Sequence, residues 1–231
     1  MLKDYIRIFN MGRLGAKYIH IFKKTYFHPF ISLKPAYRQL SQDRQNYSNS
    51  VLKYLNIEVK IIGDVPQEDK ILYAINHRSL LDILVMENIF SRFNKSGTWI
   101  AKQELFDDPI YGKFFRYSGC MSVDLENGRG MLKFFKTLKK TLSKVDDLNI
   151  FMFPEGERYK GQGIKEFQSG AQKIARANKL KIVPVYINDE LEKVFSASPY
   201  KETKVVEVYI GEIMSEGDLE KNYRALMSKA L

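Results

Sequence analysis

Five consecutive apolar residues, Ile71 to Ile75, stop at the polar run Asn76-His77-Arg78-Ser79, and a second apolar stretch, Leu80 to Met86, follows. The first has the length of a buried strand, the second predicts a helix, and the polar run is the hinge between them. The same alternation extends to both sides. Ile57 to Ile62 alternates as a strand and is closed by Gly63-Asp64-Val65-Pro66. Thr98 to Ala101, Cys120 to Val123, Ile150 to Phe153, Ile182 to Ile187 and Val205 to Ile210 read as further strands. Helices are expected from the hinge to about Phe93, at Pro109 to Tyr117, at Gly170 to Ala177 and from Asp218 to the end. Gly130 to Val145 reads as an amphipathic helix with Leu132, Phe135, Leu138 and Leu142 on one face and lysines opposite. The pattern predicts an α/β fold with a largely parallel central sheet flanked by helices.

Residues 1–50 pattern differently. Tyr5, Ile6, Ile8, Phe9, Leu14, Tyr18, Ile19, Ile21 and Phe22 are interleaved with cations, and His28-Pro29 ends or kinks the run. Within the first forty residues, Lys3, Arg7, Arg13, Lys17, Lys23, Lys24, Lys34 and Arg38 meet only Asp4. This is either a basic amphipathic helical segment for association with an anionic membrane surface, or a helix whose apolar face packs on the core. The division expected is therefore a segment at 1–50 and an α/β domain at 51–231. Removal of residues 1–45 is expected to abolish membrane binding and leave the domain folded.

Charge sharpens this picture. The net charge of +10, with a pI of about 9.4, calls for an anionic partner, and no nucleic-acid reader motif accompanies it. The single cysteine, Cys120, excludes a disulfide framework and a cysteine-rich metal site and suits a reducing compartment. No apolar stretch approaches the roughly 18 to 20 residues of a membrane span. His20 and His28 have no partner pattern and read as structural.

Chemistry concentrates at two hinges. His77 is followed five positions later by Asp82. On one helix that spacing would set the side chains about 140° apart, so the two meet only if His77 lies in the loop and Asp82 in the first helical turns. One reading is a general base oriented by a carboxylate. The other is a capping box, Ser79-Leu80-Leu81-Asp82, with Ser79 as N-cap and Asp82 at N3. The second hinge is Phe153-Pro154-Glu155-Gly156-Glu157-Arg158. There Glu155 and Arg158 read as walls of a polar pocket, a carboxylate for hydroxyls and a guanidinium for phosphate, or as a surface ion pair of little energetic weight. A P-loop is excluded because Gln162, and not lysine, follows Gly161.

Together, Asn76-His77-x4-Asp82 and Phe153-Pro154-Glu155-Gly156-x-Arg158 resemble the glycerolipid acyltransferases, in particular the PlsC-like 1-acylglycerol-3-phosphate acyltransferase branch. Ala101 to Leu105, Pro109, Tyr111-Gly112 and Gly119 are similar to that family's middle block, Phe167 to Ala171 to the segment after the Glu-Gly turn, and Val183-Pro184-Val185 to its last motif. The resemblance implies a catalytic pair, His77 as base and Asp82 as its orienter, with direct attack of the acceptor hydroxyl on a thioester. It implies that Glu155 and Gly156 hold the acceptor's glycerol portion, and that Arg158 with Lys102 binds its phosphate. The resemblance further implies a thioester of acyl carrier protein or coenzyme A as acyl donor, with no metal or further cofactor. Expected partners are anionic membrane lipids and lysophosphatidic acid, at the cytoplasmic face of the membrane. Two positions depart from the pattern: Leu125 stands where an arginine follows the Asp, and Glu157 where Thr or Ser is usual. They point to another lyso-lipid acceptor as the alternative; a non-catalytic lipid-binding protein on the same fold is the rival of a different class.

Overall fold

The computed structural model describes residues 2–109, 111–124, 128–161, 163–214 and 219–230. The chain runs α1 (Leu2–Tyr26), α2 (Leu33–Leu55), β1 (Ile57–Ile62), β2 (Ile71–Ile75), α3 (Leu81–Arg92), β3 (Ser96–Lys102), α4 (Gln103–Asp107) and α5 (Gly112–Tyr117). It continues with β4 (Met121–Val123), α6 (Gly128–Lys144), β5 (Leu148–Met152), α7 (Gly170–Asn178), β6 (Lys181–Ile187), α8 (Leu191–Ala197), β7 (Lys204–Ile210) and α9 (Leu219–Ser228). Among the described residues the strands form one sheet of order β1-β7-β6-β2-β5-β3-β4, parallel at every junction except β6–β7. The expected α/β architecture is therefore present.

Central strands β2 and β5 are buried along their whole length, as their unbroken apolar runs require of a sheet covered on both faces. Their side chains alternate between two cores. Ile71, Tyr73, Ile75 and Phe151 pack with α2, α3 and α8, while Leu72, Ala74, Ile150 and Met152 pack with α6 and α7. The chain leaves β2 through α3, passing over β5 to reach β3, and leaves β5 through α7, passing over β2 to reach β6. The two crossovers diverge on opposite faces. The crevice beyond the carboxyl ends of β2 and β5 is thus a topological switch point, where open α/β sheets bind ligands. Both hinges lie there.

Two expectations change. Leu132 lies outside the buried face of α6, being 73% exposed, because the inward face is set by Phe134, Leu138, Thr141 and Leu142. The boundary at residue 50 falls inside α2, a helix integral to the α/β domain. Leu40, Val51, Leu52 and Leu55 are buried on α2, and so is Arg44, whose Nε donates to Glu87 Oε1 of α3 at 2.6 Å. Arg44 also donates to the carbonyls of Gly97 and Ser118. Removing residues 1–45 would strip Glu87 of its countercharge in the core, so the domain is not expected to survive that truncation. The closing helix begins at Leu219; Asp218 lies outside the described residues.

α1 is fixed at both ends. Near its start, buried Arg7 donates through Nη1 to the carbonyls of Phe195, Ser196 and Ser198 at the end of α8. Further along, Tyr18 and Phe22 pack with Leu40 and Phe114. Arg7 is therefore a structural cation, not a lipid-facing one. Replacing one partner of a buried ion pair costs about 3–5 kcal/mol, whereas removing both charges restores much of that loss. Arg44→Met should accordingly lower unfolding free energy by about that amount in urea titrations. The double variant Arg44→Met/Glu87→Gln, which keeps an acceptor for Trp99, should recover most of it.

Candidate active site

β2 delivers Asn76 and His77 to the carboxyl edge of the sheet, and every polar atom of that turn with a described partner is held. The Asn76 amide side chain continues the β2–β6 ladder: Nδ2 donates to the Ile187 carbonyl at 3.0 Å and Oδ1 accepts from the Ile187 amide at 2.8 Å. Its backbone N–H donates to Tyr223 Oη on α9 at 2.8 Å, and the Tyr223 hydroxyl in turn donates to the Val185 carbonyl. The His77 N–H donates to Glu155 Oε1 at 2.8 Å, and the His77 carbonyl accepts from the Tyr159 amide at 2.8 Å.

The His77 ring meets Asp82 with Nδ1 2.8 Å from Oδ2. The same oxygen accepts from the backbone amides of Arg78 at 2.6 Å and Ser79 at 2.9 Å. Ser79 Oγ accepts from the Leu81 amide at 3.3 Å. The capping box expected with Ser79 as N-cap is not formed: α3 begins at Leu81, Leu80 is its N-cap with no side-chain cap bond, so the Asp82 carboxylate holds the histidine and the hinge amides instead. A carboxylate has only lone pairs to offer, so Nδ1 carries a hydrogen in this contact, and the neutral imidazole held this way has its lone pair on Nε2. Side-chain exposure is 13% for His77 against 2% for Asp82, so only the imidazole reaches the surface of the crevice. Phe153 lies flat against the ring, centroids 3.7 Å apart and planes 9° from parallel. Phe153 stacks in turn on Trp99, whose Nε1 donates to Glu87 Oε1 at 2.9 Å. The buried Arg44–Glu87 pair thus supports the imidazole through two aromatic rings.

Glu155 sits away from the expected pocket wall. Its side chain is fully buried, with Oε1 accepting from His77 N–H and Oε2 from Lys165 N–H at 2.9 Å. It ties the second hinge to the first and to the loop before α7. Burial pushes its carboxyl above the usual range, against the opposing pull of the Lys165 and His77 amides. Gly156 adopts φ +73°, and a Cβ there would also press on the Gln168 amide at 2.7 Å. Arg158 is exposed and, among the described residues, makes no hydrogen bond or ion pair. Glu157 is bound to Lys165, which holds its carboxyl below the usual range, and the charge of Lys102 at the end of β3 adds to the effect. Lys102 and Lys165 therefore gather at Glu157 by the mouth of the crevice, and Arg158 is the next residue of the same turn. Leu125 and Gln162 lie outside the described residues. Sequence reading missed Asn76 as a ladder residue, Phe153 as the floor under His77, and Tyr223. Their signal, polar or aromatic residues next to the motif with no pattern of their own, appears only with the fold.

The arrangement is a solvent-reaching imidazole with an oriented tautomer, at a switch point, beside a cationic mouth. The acyltransferase family model matches residues 56–188, more than half of the chain, and contains both hinges. This protein belongs to the acyltransferase family. Among curated relatives, it is 36% identical over 135 residues to the 1-acyl-sn-glycerol-3-phosphate acyltransferase of Helicobacter pylori, covering 58% of this chain and 54% of that protein. It is 32% identical over 178 residues to a probable enzyme of the same name from Mycoplasma genitalium, covering 76% of this chain and 63% of that protein. The chain thus spans less than two thirds of the length of these relatives. The crystal structure of the 1-acyl-sn-glycerophosphate acyltransferase PlsC from Thermotoga maritima aligns with a TM-score of 0.61 at 17% identity, over 99% of this chain and 95% of that one. That likeness establishes the shared fold.

The raised Glu155 carboxyl has a consequence for stability. A carboxyl whose folded pKa lies above its unfolded value contributes fully below the unfolded pKa and progressively less as pH rises through the folded one. Glu155→Gln removes that titration and gives one of the two amides an NH2 in place of an acceptor. The stability advantage of wild type over Glu155→Gln should therefore be greater at mildly acidic than at neutral pH, as measured by urea unfolding across that range.

Proposed function

We propose that this protein transfers a fatty acyl group from a thioester of acyl carrier protein or coenzyme A to the free hydroxyl of 1-acylglycerol-3-phosphate, giving phosphatidic acid. The observation that carries the reading is the His77–Asp82 pair, with Nε2 free at the mouth of the switch-point crevice. The acceptor hydroxyl gives its proton to His77 Nε2 as its oxygen bonds to the thioester carbonyl carbon. Collapse of the tetrahedral intermediate breaks the C–S bond, and the departing thiolate takes the proton back from His77. The imidazolium formed in between is stabilised by Asp82, which also keeps Nδ1 protonated and the ring aligned. No covalent acyl-enzyme and no metal enters this sequence. Arg158 and Lys102 are assigned to the acceptor's phosphate, and Gly156 lets backbone approach its glycerol portion. Glu155 acts through the loops it joins, as a positioning residue.

The acceptor is a membrane lipid, and α1 offers a surface to meet it. Tyr5, Ile8 and Phe9 are 68%, 63% and 71% exposed, and Phe30 after the helix is 91% exposed. Lys17, Lys23 and Lys24 accompany them on a helix with its other side packed on the domain. No helix among the described residues is long and apolar enough to cross a membrane. The protein is proposed to sit on the cytoplasmic leaflet as a peripheral or monotopic enzyme. A second reading, a lyso-lipid acceptor with a different headgroup, is favoured by Glu157, whose carboxylate stands in the cationic cluster and occupies Lys165.

Acyl transfer by purified protein to lysophosphatidic acid and a panel of other lyso-lipids, with both thioesters offered, tests the assignment. His77→Ala should lose at least ~10²-fold in rate, and Asp82→Asn a comparable factor in kcat with a smaller change in KM. Transfer confined to another lyso-lipid would move the acceptor assignment to the second reading; no transfer to any would leave a lipid-binding protein. Independently, Ile8→Glu/Phe9→Glu should weaken sedimentation with anionic liposomes while leaving the thermal melt near that of wild type. Unchanged sedimentation would sink the docking role of α1.

A further inference from the structure

The face of the sheet opposite α1 carries a second concentration of charge. α6 bears Arg129, Lys133, Lys136, Lys139, Lys140 and Lys144 and no acid, and α7 bears Lys173 and Arg176 and no acid. The acids that follow α6, Asp146 and Asp147, are already bound by Lys34 and Arg38 of α2. Among the described residues, the α6 lysines and those two α7 cations form no ion pair. Between the helices runs an open groove of about 700 Å³, lined by Phe135, Lys139, Ser169, Lys173 and Arg176. α7 follows β5, so the Ser169 end of the groove lies at the same sheet edge as His77. Leu132, 73% exposed, stands on the helical stripe that also holds Arg129, Lys136 and Lys139.

We infer that the α6–α7 face docks an acidic, helical carrier protein that brings the acyl thioester to the site. The inference rests on the acyl-transfer reading for what is delivered, but the surface stands on its own observations. The basic stripe extends about 22 Å from Arg129 to Lys144 at 1.5 Å per residue, further than the phosphates of one nucleotide would need. A single exposed leucine ringed by cations has the make-up of a protein interface, an apolar anchor inside a charged rim. Lipid is the other anionic candidate, but the aromatic patch of α1 lies across the sheet. A soluble partner can reach α6 and α7 while α1 rests on a bilayer. A thiol-bearing prosthetic arm entering beside Ser169 would follow the groove to the site edge.

The test uses the full-length protein, its triple variant Lys136→Glu/Lys139→Glu/Lys173→Glu and Leu132→Ala. Purified holo acyl carrier protein is titrated at low salt and at about 0.3 M, where surface electrostatics are largely screened. Expected are binding at low salt that weakens with salt, at least a tenfold loss in the triple variant, and a smaller loss in Leu132→Ala. The triple variant should raise KM for the carrier-borne thioester about tenfold and leave transfer from the coenzyme A thioester unchanged. No binding by wild type, or equal binding by the variant, overturns the inference. So does an equal rise in KM for both donors, which would make the groove a nucleotide site. Loss of anionic-vesicle binding with carrier binding intact would assign the face to the membrane and overturn it as well. Carrier binding lost in the variant, with no acyl transfer from either donor by wild type, would uphold the surface and overturn the reading of His77.

Discussion

Glu87 is the group on which both the fold and the site depend. It is wholly buried, and its Oε1 accepts from Arg44 of α2 and from the Trp99 indole of β3. A carboxylate in the core is tolerable only with its partners in place, so the closing of α3 and β3 over Glu87 is favourable only with α2 seated beside them. The same bond sets the plane of Trp99, on which Phe153 and then His77 are stacked. An error in seating α2 would therefore reach the imidazole without touching Asp82. This gives the N-terminal helices a physical connection to the chemistry beyond any part they take in lipid contact.

The site itself is a set of buried acceptors holding one loop. Asp82 Oδ2 takes three donors, Glu155 takes one amide from each of two loops, and Asn76 substitutes a side chain for a strand residue. Preorganisation of this kind fixes a general base in place before substrate arrives, so little reorganisation is left for the reaction. It also accounts for the position of the carboxylates. Only side chains that reach the crevice can act on substrate, and of His77, Asp82 and Glu155 only the imidazole does so.

The parts of the fold with a simple hydrophobic code were legible in the sequence. The apolar runs at 71–75 and 150–153 located β2 and β5 to within two residues, and with them both hinges. α2 was not legible as core because its buried face carries Ser41, Asp43, Arg44, Gln45 and Ser48, polar residues whose burial depends on partners elsewhere in the chain. Leu132 misled for the converse reason: its spacing fits the stripe of Phe135, Leu138 and Leu142, which do pack on the core with Phe134 and Thr141, yet Leu132 itself is left exposed near the start of α6. Glu155 was found by motif and misplaced by chemistry. A carboxylate beside a glycine turn suggests a ligand contact, and nothing local reveals that two amides, 78 and 10 positions away, claim it.

Those misreadings share a direction. Periodicity reports which residues could be buried together, and motifs report which could react; neither reports what a polar group is already bonded to. Once the bonds are assigned, three populations of cations stand out beside the α1 lysines and the surface ion pairs of Lys60, Lys181 and Lys204. Arg7 and Arg44 are spent inside the fold. Lys102 and Lys165 gather around Glu157 at the crevice mouth, next to Arg158 in the chain. The lysines of α6, with Lys173 and Arg176 of α7, cover a helical face and, among the described residues, form no ion pair. A net charge of +10 is therefore not one property with one partner. A cation buried in the core needs an acid or carbonyls there, whereas exposed cations at a crevice or on a helix face are solvated and remain open to an anionic ligand or surface. The third population is unaccounted for by the first two, and that remainder gives the α6–α7 face its meaning.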